Sequence, residues 1–502
     1  MQKLMQEMKF FLSAMLILLS GFAEAQISNA KKGYEIKVTV KNFKGDTIRL
    51  GNIHEDKIYF QKSLVPQNGV VVFKNDTTLQ GGIYVIYLSK EQTYFQILLS
   101  SDDQHFSIET EGPDYSKNLK IKGSQDNELY IKNMEFYTSM NQRATPFRQV
   151  LEKSKDAKDS KDYKDAIAEL EKMDKEVREF QKKFVAQYPK TLTASIMKAN
   201  QPIDLPEIPK LANGRPDSTF AWRYYKQHYF DGFDFADERL VYTDFIKNKL
   251  NGYFDGYVVP DPDSMAVAAE YVIHKAKVNK EMYRYITNKI LYNFETSKYV
   301  CMDKAFVAIA DKYYCSKNAP YAPTVLGSEK YLEKICSRAN EMRLVRCGEL
   351  APNLKLQSLE KDGKVTEQEL HKIQAKYTMV FFWDPECGHC GKVSDKLIEY
   401  YDNFKKYGLE VFGICTKSAD ELKRCNEKAT EKKMRWTNYA DPYYLAKAKM
   451  LYDIKTTPGI FLLDKDKKII LKKFEMDDLK RFFEAEEKKT PSTPAQAPKK
   501  GK

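Results

Sequence analysis

Metal-ligand spacings are scarce in this 502-residue chain. Its six histidines (His54, His105, His228, His274, His371 and His389) are scattered, with no H-x3–5-H among them. Only one of its cysteine pairs has C-x-x-C spacing. A zinc centre needs a second pair of ligands at short spacing, so no metal and no cofactor is expected. Long apolar runs are missing too. The run from Phe10 to Phe22 is too short for a bilayer, which needs about 20 apolar residues. No later segment is apolar enough either, so a membrane-spanning chain is not expected. A basic stripe with interleaved aromatics is also absent. The formal charge of +12 is the small difference between 82 basic and 70 acidic groups, and it does not argue for nucleic acid.

The short apolar run is followed by Ala23-Glu24-Ala25, an A-x-A cleavage site, so residues 1–25 read as a signal peptide starting best at Met8-Lys9. No cysteine follows the run, and lipid attachment there is not expected. The mature chain is expected in the periplasm or cell envelope. It is too long for one ordinary core, and two or three are expected. Residues 26–125 form the first. There Ile36, Val38 and Val40 alternate with charged or polar neighbours, and further short strands recur between turn clusters, which suggests an all-β sandwich-like domain. Residues 126–347 read as helical. Tyr163, Ile167, Leu170, Met173, Val177, Phe180 and Phe184 recur at helical spacing, and the aromatic cluster Trp222–Phe235 reads as packing. Gly348–Pro352 reads as a linker into residues 348–487. The Pro/Ala/Lys-rich tail 488–502 is expected to be disordered.

The chemistry concentrates in Cys387-Gly388-His389-Cys390. The preceding run, 378–383, reads as a buried strand, and Ser394–Tyr407 reads as a helix. A cysteine where a helix begins lies at the positive end of the dipole, which favours its thiolate. Phe381-Phe-Trp-Asp-Pro-Glu-Cys-Gly-His-Cys390 resembles the active-site signature of the thioredoxin superfamily. Thr456-Thr-Pro-Gly459, about seventy residues on, resembles its cis-proline element. The strand, turn, strand and helix after Pro458 follow the same order. Gly408–Ile414 reads as a strand, Ser418–Glu431 as an added helix and Tyr443–Tyr452 as another. This layout resembles the TlpA/ResA-like envelope thioredoxins. A peroxiredoxin would carry T-x-x-C, which is absent. The β-rich and helical regions resemble those that precede such modules.

The resemblance implies an α/β thioredoxin fold at the C-terminus of a multidomain chain. It also implies a protein thiol–disulfide oxidoreductase. Cys387 would attack a disulfide of a protein substrate and Cys390 would resolve the mixed disulfide; run in reverse, the same steps would oxidise a substrate dithiol. Trp383 resembles the family's active-site aromatic, and Thr457 would offer its backbone to the substrate beside Pro458. Gly388 and His389 lie between the sulfurs, and a charged His389 would favour the thiolate and make the pair more oxidising. That runs against the mostly reducing layout. The family's buried aspartate and its helix-kinking proline are replaced by Phe381 and Asp395. Proton transfer would then fall to Glu386 or Glu410, each of which also reads as a solvated carboxylate. An unidentified redox partner is implied as well. Cys301 with Cys315, and Cys336 with Cys347, are too far apart within one helix to bond. Most of the six remaining cysteines therefore read as buried free thiols, with a disulfide across elements left open. The alternative function is a non-catalytic adaptor on a thioredoxin scaffold.

Overall fold

The computed structural model describes residues 32–489 except 55–56, 101–103, 317–318, 320 and 360–363. The expected signal peptide lies outside the described residues, as does the expected tail 488–502 apart from Lys488 and Lys489, which end the helix Met476–Lys489. The chain divides into two compact units. One takes the residues up to Glu207 with Gln227–Lys249, and the other takes Ile208–Lys226 with everything from Leu250. The helices expected as one middle domain over 126–347 are present, but they are shared between these units.

The first unit is built on eight strands: β1 (Tyr34–Lys41), β2 (Ile48–His54), β3 (Lys57–Leu64), β4 (Val70–Asn75), β5 (Gly82–Leu88), β6 (Thr93–Leu99), β7 (His105–Glu111) and β8 (Lys120–Lys122). They form two sheets, ordered β4-β1-β7-β8 and β3-β2-β5-β6. The expected alternation is real in β1, where Ile36, Val38 and Val40 are buried and Glu35 and Lys37 are not. These side chains and Phe73 meet Ile48, Ile86 and Ile97 of the other sheet in one core. β3 was not legible because it is an edge strand without a buried residue. The helix Gln125–Lys153 docks on β6 through Asn127, whose amide bonds both the N–H and the carbonyl of Leu98 at 2.8 and 2.7 Å. Phe230, Phe233 and Phe235 are buried, and they contact one another in the same unit.

The second unit holds β9 (Lys355–Ser358), β10 (Glu367–Glu369), β11 (Tyr377–Trp383), β12 (Leu409–Cys415), β13 (Asn438–Ala440), β14 (Gly459–Leu463) and β15 (Ile469–Lys472), in the order β10-β9-β13-β12-β11-β14-β15. β11, β12 and β13 run parallel, while β14 is antiparallel to β11. Every residue of β11 is buried because both sheet faces are covered. Met379, Phe381 and Trp383 face a core containing Leu397 and Phe404 of the helix Gly388–Lys406 and Leu479 and Phe483 of the helix Met476–Lys489. Val380 and Phe382 face the opposite core, with Val345, Leu354 and Tyr452.

Several expectations need correction here. The linker Gly348–Pro352 is part of the sheet edge. Gly348 N–H bonds Ile469 O at 2.8 Å, Ile469 N–H bonds Glu349 O at 2.9 Å and Ala351 N–H bonds Lys467 O at 2.9 Å. The helix expected over Tyr443–Tyr452 is reduced to Ala448–Leu451, because Tyr444 and Lys447 have φ of 56° and 51°. The segment Val300–Tyr314 becomes a helix over Asp303–Ile309 followed by a π turn over Ala310–Tyr314. The six cysteines outside the dithiol are not free thiols. They form Cys301–Cys347, Cys315–Cys336 and Cys415–Cys425. The spacing argument did exclude bonds within a helix, but these bonds join different elements, whose proximity is a property of the fold. No described helix is long and apolar enough to cross a membrane.

Candidate active site

β11 ends at Trp383, and after three intervening residues Cys387 forms the N-cap of the helix Gly388–Lys406. Asp384 shapes the turn between them: its carboxylate accepts from Glu386 N–H at 2.9 Å and its carbonyl accepts from Cys387 N–H at 3.2 Å. At an N-cap a side-chain oxygen ordinarily accepts from an amide of the first turn. Here the Cys387 sulfur takes that place and accepts from Cys390 N–H at 3.3 Å. Its thiol also donates to the Thr457 carbonyl at 3.4 Å. The Thr457–Pro458 peptide is cis and opens β14, whose Gly459 lies opposite Phe382 of β11. Thus the motif and the proline element, distant in sequence, meet at one end of the sheet.

The two sulfurs differ in environment. Burial opposes ionisation of Cys387, but the Cys390 thiol and amide, the Thr457 side chain and the His389 amide all stabilise the thiolate. Together they outweigh burial and bring its pKa below the ordinary thiol value. Cys390 is 1% exposed. Burial, reinforced by the bond to Cys387, pushes its pKa up to about 12. The first proton therefore leaves Cys387.

The other expected residues separate into near and far. His389 is exposed, and it is its amide rather than its ring that reaches the sulfur. Gly388 is exposed, and a Cβ there would meet nothing within 4 Å. Trp383 is 1% exposed and donates to Asn438 Oδ1 at 2.9 Å, so it supports the site from the core. Glu386 is adjacent to Cys387, but it pairs with Lys417 at 2.9 Å and Arg424 at 2.7 Å. The Lys417 bond, ahead of the charges of Lys417 and Arg424, holds its carboxyl below the usual carboxylate range. Glu410 lies opposite Thr378, whereas Cys415 lies opposite Trp383. Five residues of strand put Glu410 about 17 Å from the dithiol end of β12. Its partner is Lys405.

Lys417, Arg424, Lys428 and Lys432 were missed. Lys417 lies at 3.3 Å from Asp384, and Lys432 at 2.7 Å from Asp395. Nothing in the sequence marks these pairs, since each joins segments about thirty residues apart. Trp383, Glu386, Cys387, Cys390, Lys428 and Lys432 all line a cleft of about 370 Å³. Among the described residues there is no group of three or more potential metal ligands.

Residues 347–472 match the AhpC/TSA family. The C-terminal domain is a thioredoxin-like domain of that family. Residues 179–325 match a domain of unknown function, DUF5106. Solved structures similar to the chain include a thioredoxin-like protein from Bacteroides caccae, at 21% identity over 57% of this chain and 99% of that one, with a TM-score of 0.44. A domain of a possible thiol-disulfide isomerase from Cytophaga hutchinsonii is 34% identical over 28% of this chain and 93% of that one, with a TM-score of 0.26. A thiol:disulfide interchange protein from a Bacteroides species is 26% identical over 28% of this chain and 90% of that one, with a TM-score of 0.26. No curated protein matches the chain. The thioredoxin-like domain thus carries its C-x-x-C motif at the junction of β11 and its first helix, with cis Pro458 alongside.

Proposed function

We propose that the chain is an exported thiol–disulfide oxidoreductase acting on envelope proteins through Cys387 and Cys390. The observation that carries the reading is the asymmetry of the pair: a half-buried Cys387 sulfur capping a helix, its pKa lowered, beside a buried Cys390 held protonated. The Cys387 thiolate attacks a substrate disulfide, forming one S–S bond and releasing one substrate sulfur. The Cys390 sulfur then attacks Cys387 in that mixed disulfide. Its proton passes to the departing substrate sulfur, so the substrate gains two electrons and the enzyme keeps the Cys387–Cys390 disulfide. The reverse sequence oxidises a dithiol. Thr457 and Pro458 border the attacking sulfur and offer backbone to a substrate strand. Glu386, ionised and ion-paired, is a poor proton acceptor, so the substrate sulfur takes that role. Export rests on the A-x-A site after the apolar run.

Insulin reduction tests the reading. Wild type should turn over, and Cys387→Ala should be inactive. Equal activity of the two would favour the adaptor reading. Cys390→Ser should accumulate the mixed disulfide, and the trapped protein would identify the substrate or the redox partner.

A further inference from the structure

One side chain in the sheet joins two strands that do not pair. Asn438 of β13 is 7% exposed, and β12 lies between it and Trp383 of β11. Yet the Trp383 indole N–H donates to Asn438 Oδ1 at 2.9 Å. Neighbouring strands lie about 4.8 Å apart, so the two side chains together bridge backbones about 10 Å apart. The bridge passes β12 at Gly413, the residue opposite Asn438. A Cβ there would stand 2.2 Å from Asn438 Oδ1 and 2.9 Å from Trp436 Nε1. Glycine weakens a strand interior and is found there where something must approach closely. Here it makes room for the Asn438 amide. The other end of that amide is used as well, since Nδ2 donates to the Met434 sulfur at 3.5 Å. Trp383 and Met434 both line the cleft that holds Cys387 and Cys390. In that cleft Cys387 is half-buried, whereas Cys390 is 1% exposed and shares one buried cluster with Trp383.

We propose that Asn438 is a positioning residue for thiol exchange: it fixes the Trp383 indole and the Met434 thioether as walls of the cleft, and so keeps Cys390 packed beside Cys387 and away from water. The proposal rests on the exchange reading above and concerns its second step, in which Cys390 attacks the mixed disulfide. A buried indole N–H needs an acceptor, and Asn438 Oδ1 is the one it has. Without that acceptor the indole is free to turn, and the wall it forms beside Cys390 opens. The Cys387 sulfur depends less on Asn438, because Cys390 N–H and the Thr457 carbonyl hold it. Loss of Asn438 therefore falls on the resolving sulfur more than on the attacking one.

The test follows a single turnover of the full chain, with Cys387 and Cys390 reduced, against glutathione disulfide, by acid quenching and mass spectrometry. Cys387 first attacks one glutathione sulfur, which forms the Cys387–glutathione disulfide and releases one glutathione. Cys390 then attacks Cys387, which releases the second glutathione and leaves the Cys387–Cys390 disulfide. The enzyme dithiol thus supplies both electrons. Asn438→Leu, close in volume but without either bond, should slow the second step by about tenfold, the equivalent of one net hydrogen bond. The first step should slow less, so the Cys387–glutathione adduct accumulates. Cys390 should also become open to iodoacetamide in the reduced variant. Gly413→Ala keeps Asn438 but displaces its side chain. It should show the same pattern, and it decides the matter alone where the leucine variant does not fold. In a Trp383→Phe background, which has no indole N–H, Asn438→Leu should have a smaller effect. Resolution of the adduct at the wild-type rate would overturn the proposal. So would equal slowing of both steps, or an Asn438→Leu effect undiminished in the Trp383→Phe background. Wild type that never forms the Cys387–Cys390 disulfide would overturn the exchange reading itself, and this proposal with it.

Discussion

At Cys387 a sulfur occupies the position that helices usually give to serine, threonine or aspartate. The negative form of that sulfur is the one the amides at the helix start favour, so the local fold and the proposed chemistry ask for the same charge. Alkylation after selective reduction should therefore show a reactive Cys387 whose rate rises with pH through a midpoint below the ordinary thiol value of about 8.5. Below that midpoint the thiol is protonated and slow; above it the rate should level off. Cys390 should stay unreactive across the same range, because burial keeps its proton on up to about pH 12. An equal or higher midpoint at Cys387 would remove the basis for its assigned role. At the next position, His389→Pro and His389→Ala separate two effects. Proline deletes the amide that reaches the sulfur, and alanine deletes only the exposed ring. His389→Pro should raise the Cys387 pKa and lower the reduction potential in a glutathione titration, and His389→Ala should shift both less. Larger shifts with alanine would instead give the ring the tuning role.

At the scale of elements, the strands beside the site were legible because burial on both faces leaves an uninterrupted apolar run, as in β11. The short β9 and β13, the edge strand β10, and the broken helix before Ala448 were not legible. Their conformations depend on partners: β9 pairs with β13 and β10, and Asp441 caps the turn that ends in Ala448. The helix Leu422–Glu431 was expected, but its attachment was not. Cys425 bonds Cys415 at the end of β12, next to the strand that leads into the dithiol. Two consequences of that bond can be measured. Replacing both cysteines with alanine removes a link closing a ten-residue separation. This should lower stability by about 2–3 kcal/mol in denaturant unfolding. It should also loosen Lys428 and Lys432 at the cleft, seen as faster amide exchange over 422–432. Unchanged exchange there would mean that the ion pair of Lys432 with Asp395 holds the helix without the disulfide.

At the scale of the whole molecule, the second unit is more than a thioredoxin-like domain. Asp303, from the helical segment, meets Lys472 of β15 at 2.7 Å, and both side chains are nearly inaccessible at 7% and 6%. Lys472 also donates to Val345 O at 3.0 Å. Burial lowers the Lys472 pKa even with Asp303 beside it. A buried pair costs desolvation, but removing one partner leaves an uncompensated charge. Asp303→Asn should thus destabilise by about 3–5 kcal/mol in denaturant unfolding, and the double replacement Asp303→Leu, Lys472→Met by less. If the single change proved neutral, the pair would not be what fastens these helices to the sheet. The Cys301–Cys347 disulfide joins the same two parts. The sequence reading missed both links and so placed a linker at Gly348–Pro352, where the backbone in fact pairs with β15.

The sequence alone determined the dithiol, the proline element and the strands β11, β12, β14 and β15 beside them. Each is written in local spacing, in uninterrupted apolar runs, or in a motif whose residues adjoin one another. Tertiary structure alone decided which cysteines bond, that Glu410 lies at the wrong end of its strand and that Glu386 is neutralised by cations about thirty residues away. These are facts of proximity between distant segments, and proximity is set by how the sheet orders its strands and covers its faces.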